Sequence, residues 1–175
     1  MKKLPTYPRV LGLSLSSRGF GYAVLEGLDT LADWGVKSIS GDKNTGTIAK
    51  VKEQVDDYRP DVVAIEDTVG THRSARTQSL TRRIVHAIRG RDVTVLLFRR
   101  EHVRRTFLSE GRRTKHALAE RVAEKFPEEL GFRLPPKRRP WMSEDHRMAI
   151  FDAVAVGLIV RRQGRGYVPA GRRVR

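Results

Sequence analysis

Three consecutive short segments near the start of the chain have the pattern of β-strands, and in the first of them hydrophobic residues alternate with small or polar ones. A period of two is typical of β-strands. The segments cover residues 9–16, 19–26 and 31–38. Because only short turns separate them, we expect an antiparallel meander of three strands.

Further along the chain, apolar residues at helical spacing alternate with short apolar runs. Helices are predicted over residues 47–58, 74–89 and 114–126, with a short one over 100–108 and a final one from 144 or 147 to 160. Strands are predicted over residues 61–65 and 92–98. The stretch 127–140 is predicted to be a loop, and 164–175 a disordered basic tail. This order predicts a single α/β domain over residues 1–163, with a five-stranded mixed sheet flanked by helices.

Composition adds a strong charge to this picture. The 175 residues carry a formal net charge of +15 and contain no cysteine. A charge of this size favours nucleic acid as the partner, either through regulated or enzymatic binding or as a basic structural component of a ribonucleoprotein. The lack of cysteine excludes disulfides, thiolate metal sites and thiol catalysis. Residues 1–8 lack the apolar core of a signal peptide and no apolar run approaches the ~18 residues of a membrane span, so we expect a cytoplasmic location.

Two strands bring candidate site residues to the same edge of the predicted sheet. Gly12 and Ser14 share one face of the first strand, and Ala64 and Glu66 share one face of the fourth. If these strands are parallel neighbours, Ser14 and Glu66 lie side by side at their carboxyl ends, where α/β sheets place ligands. The small side chains of Gly12 and Ala64 would let a helix pack closely against this face.

The final predicted helix carries a carboxylate inside its apolar stripe. Ala149, Asp152, Val156 and Ile159 share one face. Burying an unpaired carboxylate is costly, so Asp152 requires a partner. That partner is either a metal ion shared with Glu66, or an arginine or helix-terminus contact.

Four segments follow the order and nearly the spacing of a known family. They are VLGLSLSSRGFGYAVLEG (10–27), RPDVVAIED (59–67), VRRTFLSEGRRTKHALAERVAEKF (103–126) and FDAVAVGLI (151–159). Together they resemble RuvC-type Holliday-junction resolvases of the RNase H-like superfamily. The resemblance implies an RNase H-like sheet, in which three antiparallel strands precede two strands reached through helices.

The same resemblance implies an activity. It implies a structure-selective endodeoxyribonuclease that cuts four-way DNA junctions as a homodimer, because symmetric cleavage needs two sites. Hydrolysis would use Mg²⁺ or Mn²⁺ held by carboxylate oxygens. Glu66 and Asp152 occupy the positions of two such ligands in the family's pattern.

Two positions depart from that pattern. Ser14 stands where the first strand of the family carries an aspartate, and Ala149 stands at a position that is often acidic. A serine hydroxyl is neutral and does not replace the charge of a carboxylate. Asp145, just before the final helix, is the candidate third acid for catalysis and metal binding. Two hypotheses therefore remain: a nuclease using Glu66, Asp152, Asp145 and Ser14, or an impaired or inactive protein that binds branched nucleic acid.

Basic residues cluster on the segments that would border this site. The predicted nucleic-acid-binding residues are Arg73, Arg76, Arg104, Arg105, Arg112, Arg113, Lys115, Lys137, Arg138 and Arg139. Such residues position the phosphate backbone rather than read bases. Phe107 and Trp141 are either packing residues or aromatic residues that stack on unpaired bases.

Overall fold

The framework of the protein is a mixed β-sheet. The computed structural model describes residues 7–67, 75–163 and 172–173. Its strands are β1 (Val10–Leu15), β2 (Gly19–Glu26), β3 (Thr30–Ser38), β4 (Val62–Asp67), β5 (Thr94–Arg99) and the two-residue β6 (Arg172–Arg173). They lie in the order β3-β2-β1-β4-β5-β6. β1 to β3 form an antiparallel meander, and β4 and β5 run parallel to β1, as predicted.

Helices cover both faces of this sheet. They are α1 (Lys43–Tyr58), α2 (Ala75–Ile88), α3 (Arg100–Phe107), α4 (Lys115–Lys125), α5 (Pro127–Leu130) and α6 (Met148–Gln163). None of the helices within the described ranges is long and apolar enough to cross a membrane. The two helical layers explain why β1 and β4 are buried along their whole length.

The alternation of β1 separates two hydrophobic cores. Leu11 and Leu13 pack with residues of α1 and α2, whereas Val10, on the other face, packs with α4 and α6. The same alternation divides β4, in which Ala64 belongs to the core under α6 and Ile65 to the core under α1 and α2. The predicted faces of both strands are therefore confirmed.

Helix α6 lies unusually close to the sheet at Gly12. A β-carbon added to Gly12 would lie 2.1 Å from the carbonyl oxygen of Ala153, and one added to Gly21 would lie 2.2 Å from that of Ala149. The prediction that small residues in β1 admit a close helix is confirmed. This contact holds α6, and with it Asp152, against the carboxyl half of β1.

At three places the helices and strands of the structure differ from the predicted ones. α1 begins four residues early because the Asp42 side chain accepts hydrogen bonds from the backbone N–H groups of Asn44 and Thr45, at 2.9 and 3.0 Å. The prediction of a loop over 127–140 was wrong at its start, where Pro127 opens α5 and a 3₁₀ turn follows over Gly131–Arg133. Two residues of the predicted disordered tail, Arg172 and Arg173, pair with β5.

Candidate nucleic-acid interface

Ser14 lies near the end of β1 and lines a cleft of about 440 Å³. Its own side chain is nearly covered, at 3% exposure. Leu13 pairs with Ile65 in the parallel register, so continuing that register by one residue sets Ser14 beside Glu66. The walls of the cleft include the turn after β1, the first turn of α2 and the segment before α6. They carry cations at Arg18, Arg76 and Lys115 and acids at Glu144 and Asp145.

Glu66 is the penultimate residue of β4, and it forms an ion pair with Arg100 of α3. The residue is 7% exposed, and Nε of Arg100 lies 2.6 Å from its Oε1. Arg100 begins α3 immediately after β5, and β5 pairs in parallel with β4, Glu66 lying opposite Phe98. The parallel pairing of β4 and β5 therefore places the Arg100 guanidinium beside the Glu66 carboxylate.

Asp152 lies on α6 and is paired with Lys115. Nζ of Lys115 lies 2.9 Å from its Oδ2, and the same ammonium also pairs with Glu144. Burial raises the pKa of Asp152 above its ordinary value; the charge of Lys115 opposes this rise and the charge of Glu66 adds to it. Lys115 is held in place as the first residue of α4, where the Thr114 hydroxyl caps the helix by accepting a hydrogen bond from the Ala117 N–H.

Glu66 and Asp152 line one small pocket under α3 and α6. The pocket has a volume of about 10 Å³ and is also lined by Arg100 and Arg104. Burial lowers the pKa of Arg104, and neighbouring Arg100 lowers it further. The structure therefore brings the two predicted acids together, but it brings cations to the same place.

Asp145 lies apart from this acid pair. It lines the Ser14 cleft and binds Arg147 through both carboxylate oxygens, the shortest contact being 2.6 Å from Nη2 to Oδ2. Its Oδ1 also accepts a hydrogen bond from the Arg147 backbone N–H, just before α6 begins. The hydrogen bond from the Arg147 side chain is the main reason that the pKa of Asp145 falls to about 2. In this structure the contacts of Asp145 with Arg147 stabilise the segment that leads into α6.

These residues do not fit a hydrated Mg²⁺ ion as they are arranged. Within residues 7–67, 75–163 and 172–173, no three acidic or histidine side chains form a group that could hold a metal. The pocket between Glu66 and Asp152 has room for about one water molecule, whereas Mg²⁺ usually keeps several. Arg100 and Lys115 already balance the two carboxylates. The predicted roles of Glu66, Asp152 and Asp145 in metal binding and catalysis remain predictions.

The predicted basic residues fall into three groups. Arg76 and Lys115 line the Ser14 cleft, and Arg104 lines the acid pocket. Arg105, Arg112, Lys137, Arg138 and Arg139 are exposed, and Arg113 is partly buried. Arg105 pairs with Glu101. Arg73 lies outside the described residues.

Sequence reasoning missed the internal cations of the site. Arg100 was not among the predicted residues, although its position directly after a strand parallel to β4 could have identified it. Lys115 was assigned to nucleic acid, not to Asp152. The two candidate stacking residues, Phe107 and Trp141, differ in their exposure. Phe107 is partly buried, packs on the core and lies under the Arg162 guanidinium, whereas Trp141 is 76% exposed.

The strand order and the helices on both faces of the sheet give the chain an RNase H-like fold. Among solved structures, the chain is similar to Thermus thermophilus RuvC, with 18% identity, a TM-score of 0.66 and coverage of 95% of this chain and 99% of that one. The complex of T. thermophilus RuvC with a Holliday junction substrate gives the same identity and coverage and a TM-score of 0.63. The complex of Fowlpox virus resolvase with Holliday junction DNA gives 14% identity, a TM-score of 0.51 and coverage of 87% of this chain and 98% of that one.

No family model and no curated protein sequence matches the chain. The predicted fold is confirmed.

Proposed function

We propose that this chain is a resolvase-like protein that binds four-way DNA junctions through the Ser14 cleft and the basic segments around it. Two solved proteins of the same fold, RuvC and the fowlpox resolvase, form complexes with Holliday junction DNA. The net charge of +15 supports a polyanionic partner.

The observation that carries the proposal is that Glu66 and Asp152, the two acids of the pocket, are each paired with a cation of the chain itself. Arg100 balances Glu66, and Lys115 balances Asp152. Ser14 is neutral and Asp145 is bound to Arg147, so each acid named as a metal ligand already has a cation of the chain beside it. Such a site favours recognition of DNA over metal-dependent hydrolysis.

Recognition would rest on cations presented by separate elements. Arg18 follows β1 and Arg76 lies in the first turn of α2, so two separate elements present cations to a phosphate in the cleft. Arginine suits such contacts because its planar guanidinium binds two phosphate oxygens at once. Two copies of the chain would match the two-fold symmetry of a junction, and we propose a homodimer for this reason.

The test is a comparison of junction and duplex affinity in EDTA at fixed ionic strength. A fluorescein-labelled four-way junction and a linear duplex of the same arm sequence are titrated with the protein, and anisotropy is measured. We expect the junction to bind more tightly by roughly tenfold or more, since non-specific binding rests on backbone charge alone. Equal affinity for the two DNAs would overturn the proposal.

A matched pair of variants locates the binding surface. Arg76→Ala removes a cation from the cleft, whereas Arg121→Ala removes an exposed cation of α4 that pairs with Glu124 and is outside the cleft. We expect the first variant to weaken junction binding several-fold more than the second. Equal losses would show that only overall charge matters.

Metal-dependent cleavage is the second candidate, because Glu66 and Asp152 line the same pocket at the carboxyl end of the sheet. For hydrolysis, Arg100 and Lys115 would have to leave the carboxylates before a metal could enter. Ser14→Asp adds the acid that the family pattern places on β1. Junction cleavage that appears only in Ser14→Asp would show a RuvC-like site that Ser14 disables.

A further inference from the structure

The segment before α6 holds a tryptophan out into solvent. Trp141 is 76% exposed, whereas Trp34, the other tryptophan of the chain, packs against the core. Large aromatic side chains are usually buried in proteins of this size, and one left exposed on the surface points to a binding role.

A tight turn fixes the position of Trp141. The Met142 N–H donates a hydrogen bond to the Arg139 carbonyl oxygen at 3.0 Å, which closes a turn with Pro140 and Trp141 at its centre. Proline at the second position of such a turn has its φ angle already restricted. The tryptophan is thus displayed on ordered backbone, so that binding through it loses little conformational entropy.

The chemistry around Trp141 matches nucleic acid. The Arg139 guanidinium lies 5.6 Å from the ring centroid, and Lys137 and Arg138 precede it on the exposed surface. Residues 134–143 contain no acidic side chain. An aromatic face with cations beside it complements a nucleobase and its phosphates, whereas an apolar protein surface would leave those cations unpaired.

The turn also lies next to the proposed DNA-binding cleft. Ser143, two residues after Trp141, lines the Ser14 cleft. Arg138 and Met142, on either side of the turn, line a neighbouring cavity of about 350 Å³ that shares Lys115 with that cleft. DNA bound in the cleft would therefore pass beside Trp141.

We propose that Trp141 and Arg139 form a base-stacking site, in which the indole ring stacks on an unpaired nucleobase of DNA held in the Ser14 cleft. This deepens the proposed function and rests on it. The phosphate contacts of the cleft give affinity without regard to pairing, and the stacked base adds preference for DNA with unpaired nucleotides at or near a branch point.

The test uses the fluorescence of Trp141 in a Trp34→Phe background, where it is the only tryptophan. The protein is titrated with a short oligothymidine, a fully paired four-way junction, a junction with two unpaired thymidines at the branch point, and a linear duplex, while anisotropy of a DNA label reports binding separately. We expect quenching with the oligothymidine and the unpaired junction and little with the duplex. Binding by anisotropy without quenching would overturn the stacking site and leave the proposed function standing. Quenching by oligothymidine without junction selectivity would support the stacking site and overturn the proposed function.

Trp141→Ala and its control give the affinity. Because stacking a base on an aromatic ring is worth a few kcal/mol, we expect Trp141→Ala to weaken binding to the unpaired junction by roughly 5- to 100-fold and to change duplex binding less than about twofold. Trp141→Phe should recover most of the loss. Phe132→Ala is the matched control, since Phe132 is equally exposed, at 69%, and lies under Arg133. Equal losses with duplex and junction, or a Trp141→Ala variant that changes only the oligomeric state in sedimentation, would overturn the proposal.

Discussion

The buried carboxylate of Asp152 is balanced by the ammonium group of Lys115. The 2.9 Å pair links α4 to α6, and Lys115 is anchored by the N-cap of α4. Removing one partner of such a pair leaves a buried charge without compensation, which costs more than replacing both. The Lys115 ammonium therefore supplies the positive charge that keeps the buried Asp152 carboxylate compensated.

Lys115→Met removes this charge while keeping an unbranched side chain of similar length. We expect the free energy of unfolding to fall by roughly 1–3 kcal/mol near neutral pH, measured by urea unfolding. The double variant Lys115→Met/Asp152→Asn should recover most of the loss, because no buried carboxylate remains. If the double variant is as unstable as Lys115→Met, the packing of Lys115 matters more than its charge.

The cost of Lys115→Met should also depend on pH. Burial raises the pKa of Asp152, so the folded chain holds this proton to higher pH than the unfolded chain, where the aspartate pKa is about 3.9. The stabilisation that comes from holding this proton in the folded chain is fully present below about pH 3.9. It is lost as pH rises through the pKa of Asp152 in the folded chain. Since losing Lys115 raises the pKa further, the difference in stability between variant and parent should be smallest in acid, where Asp152 is protonated in both, and should widen as pH rises above the pKa of Asp152 in the parent. A difference that stays constant with pH would contradict this explanation.

The contribution of Asp145 to stability should depend on pH in the opposite direction. The Arg147 side chain lowers its pKa to about 2, so its contribution is present above the unfolded pKa of about 3.9 and is lost as pH falls toward 2. We expect Asp145→Asn to lower stability by roughly 0.5–1 kcal/mol above pH 4, since the pair is partly solvated, and by almost nothing near pH 2. Thermal unfolding of parent and variant near pH 2 and above pH 4, with and without Mg²⁺, measures this. A Mg²⁺-dependent difference between parent and variant would instead assign Asp145 to metal binding.

At the scale of secondary-structure elements, the position of α6 depends on the absence of a side chain at Gly12. Gly12→Ala would place a methyl group 2.1 Å from the Ala153 carbonyl oxygen, so helix and strand would have to separate. We expect a loss of roughly 1–3 kcal/mol in urea unfolding, and weaker junction binding because Ala149 of α6 lines the Ser14 cleft. Gly131→Ala is the control, since Gly131 is in a helical conformation with open space around it, and it should be nearly neutral. Equal losses in the two variants would show that the close contact is not the cause.

Elements whose residues alternate or repeat regularly were predictable from the sequence. β1 was recognised by its alternation and β4 as a short apolar run, and the faces of Gly12 and Ala64 were assigned correctly. The start of α1 was not, because the capping side chain of Asp42 precedes the apolar pattern that predicts the helix. α5 was hidden because Pro127 usually signals a loop, although it also suits the first position of a helix.

At the scale of the whole molecule, charge governs the response of binding to salt. Each cation that neutralises a phosphate contributes about 0.9 to the slope of log affinity against log salt. Replacing Lys137, Arg138 and Arg139 by alanine should therefore reduce the slope for junction binding by between roughly 1 and 3. The slope comes from anisotropy titrations over a series of salt concentrations. An unchanged slope would show that this segment does not contact DNA.

The candidate site was predictable only in part, because its contacts join distant segments. The strand-end position of Glu66 and the apolar stripe around Asp152 identified both acids. Their partners lie 34 and 37 residues away along the chain, and no local pattern links Arg100 to Glu66 or Lys115 to Asp152. Side-chain pairing of this kind becomes visible only once the parallel sheet and α6 bring the segments together.

The central claim is that the chain recognises four-way junctions and that its cation-paired acids do not cut them. The most direct measurement is a denaturing gel of an end-labelled four-way junction, incubated with saturating protein in Mg²⁺ or Mn²⁺, with Glu66→Gln as control. We predict intact strands for the natural chain under conditions where a native gel shows the junction fully bound. Symmetric nicks near the branch point that disappear in Glu66→Gln would contradict the account and establish a working nuclease.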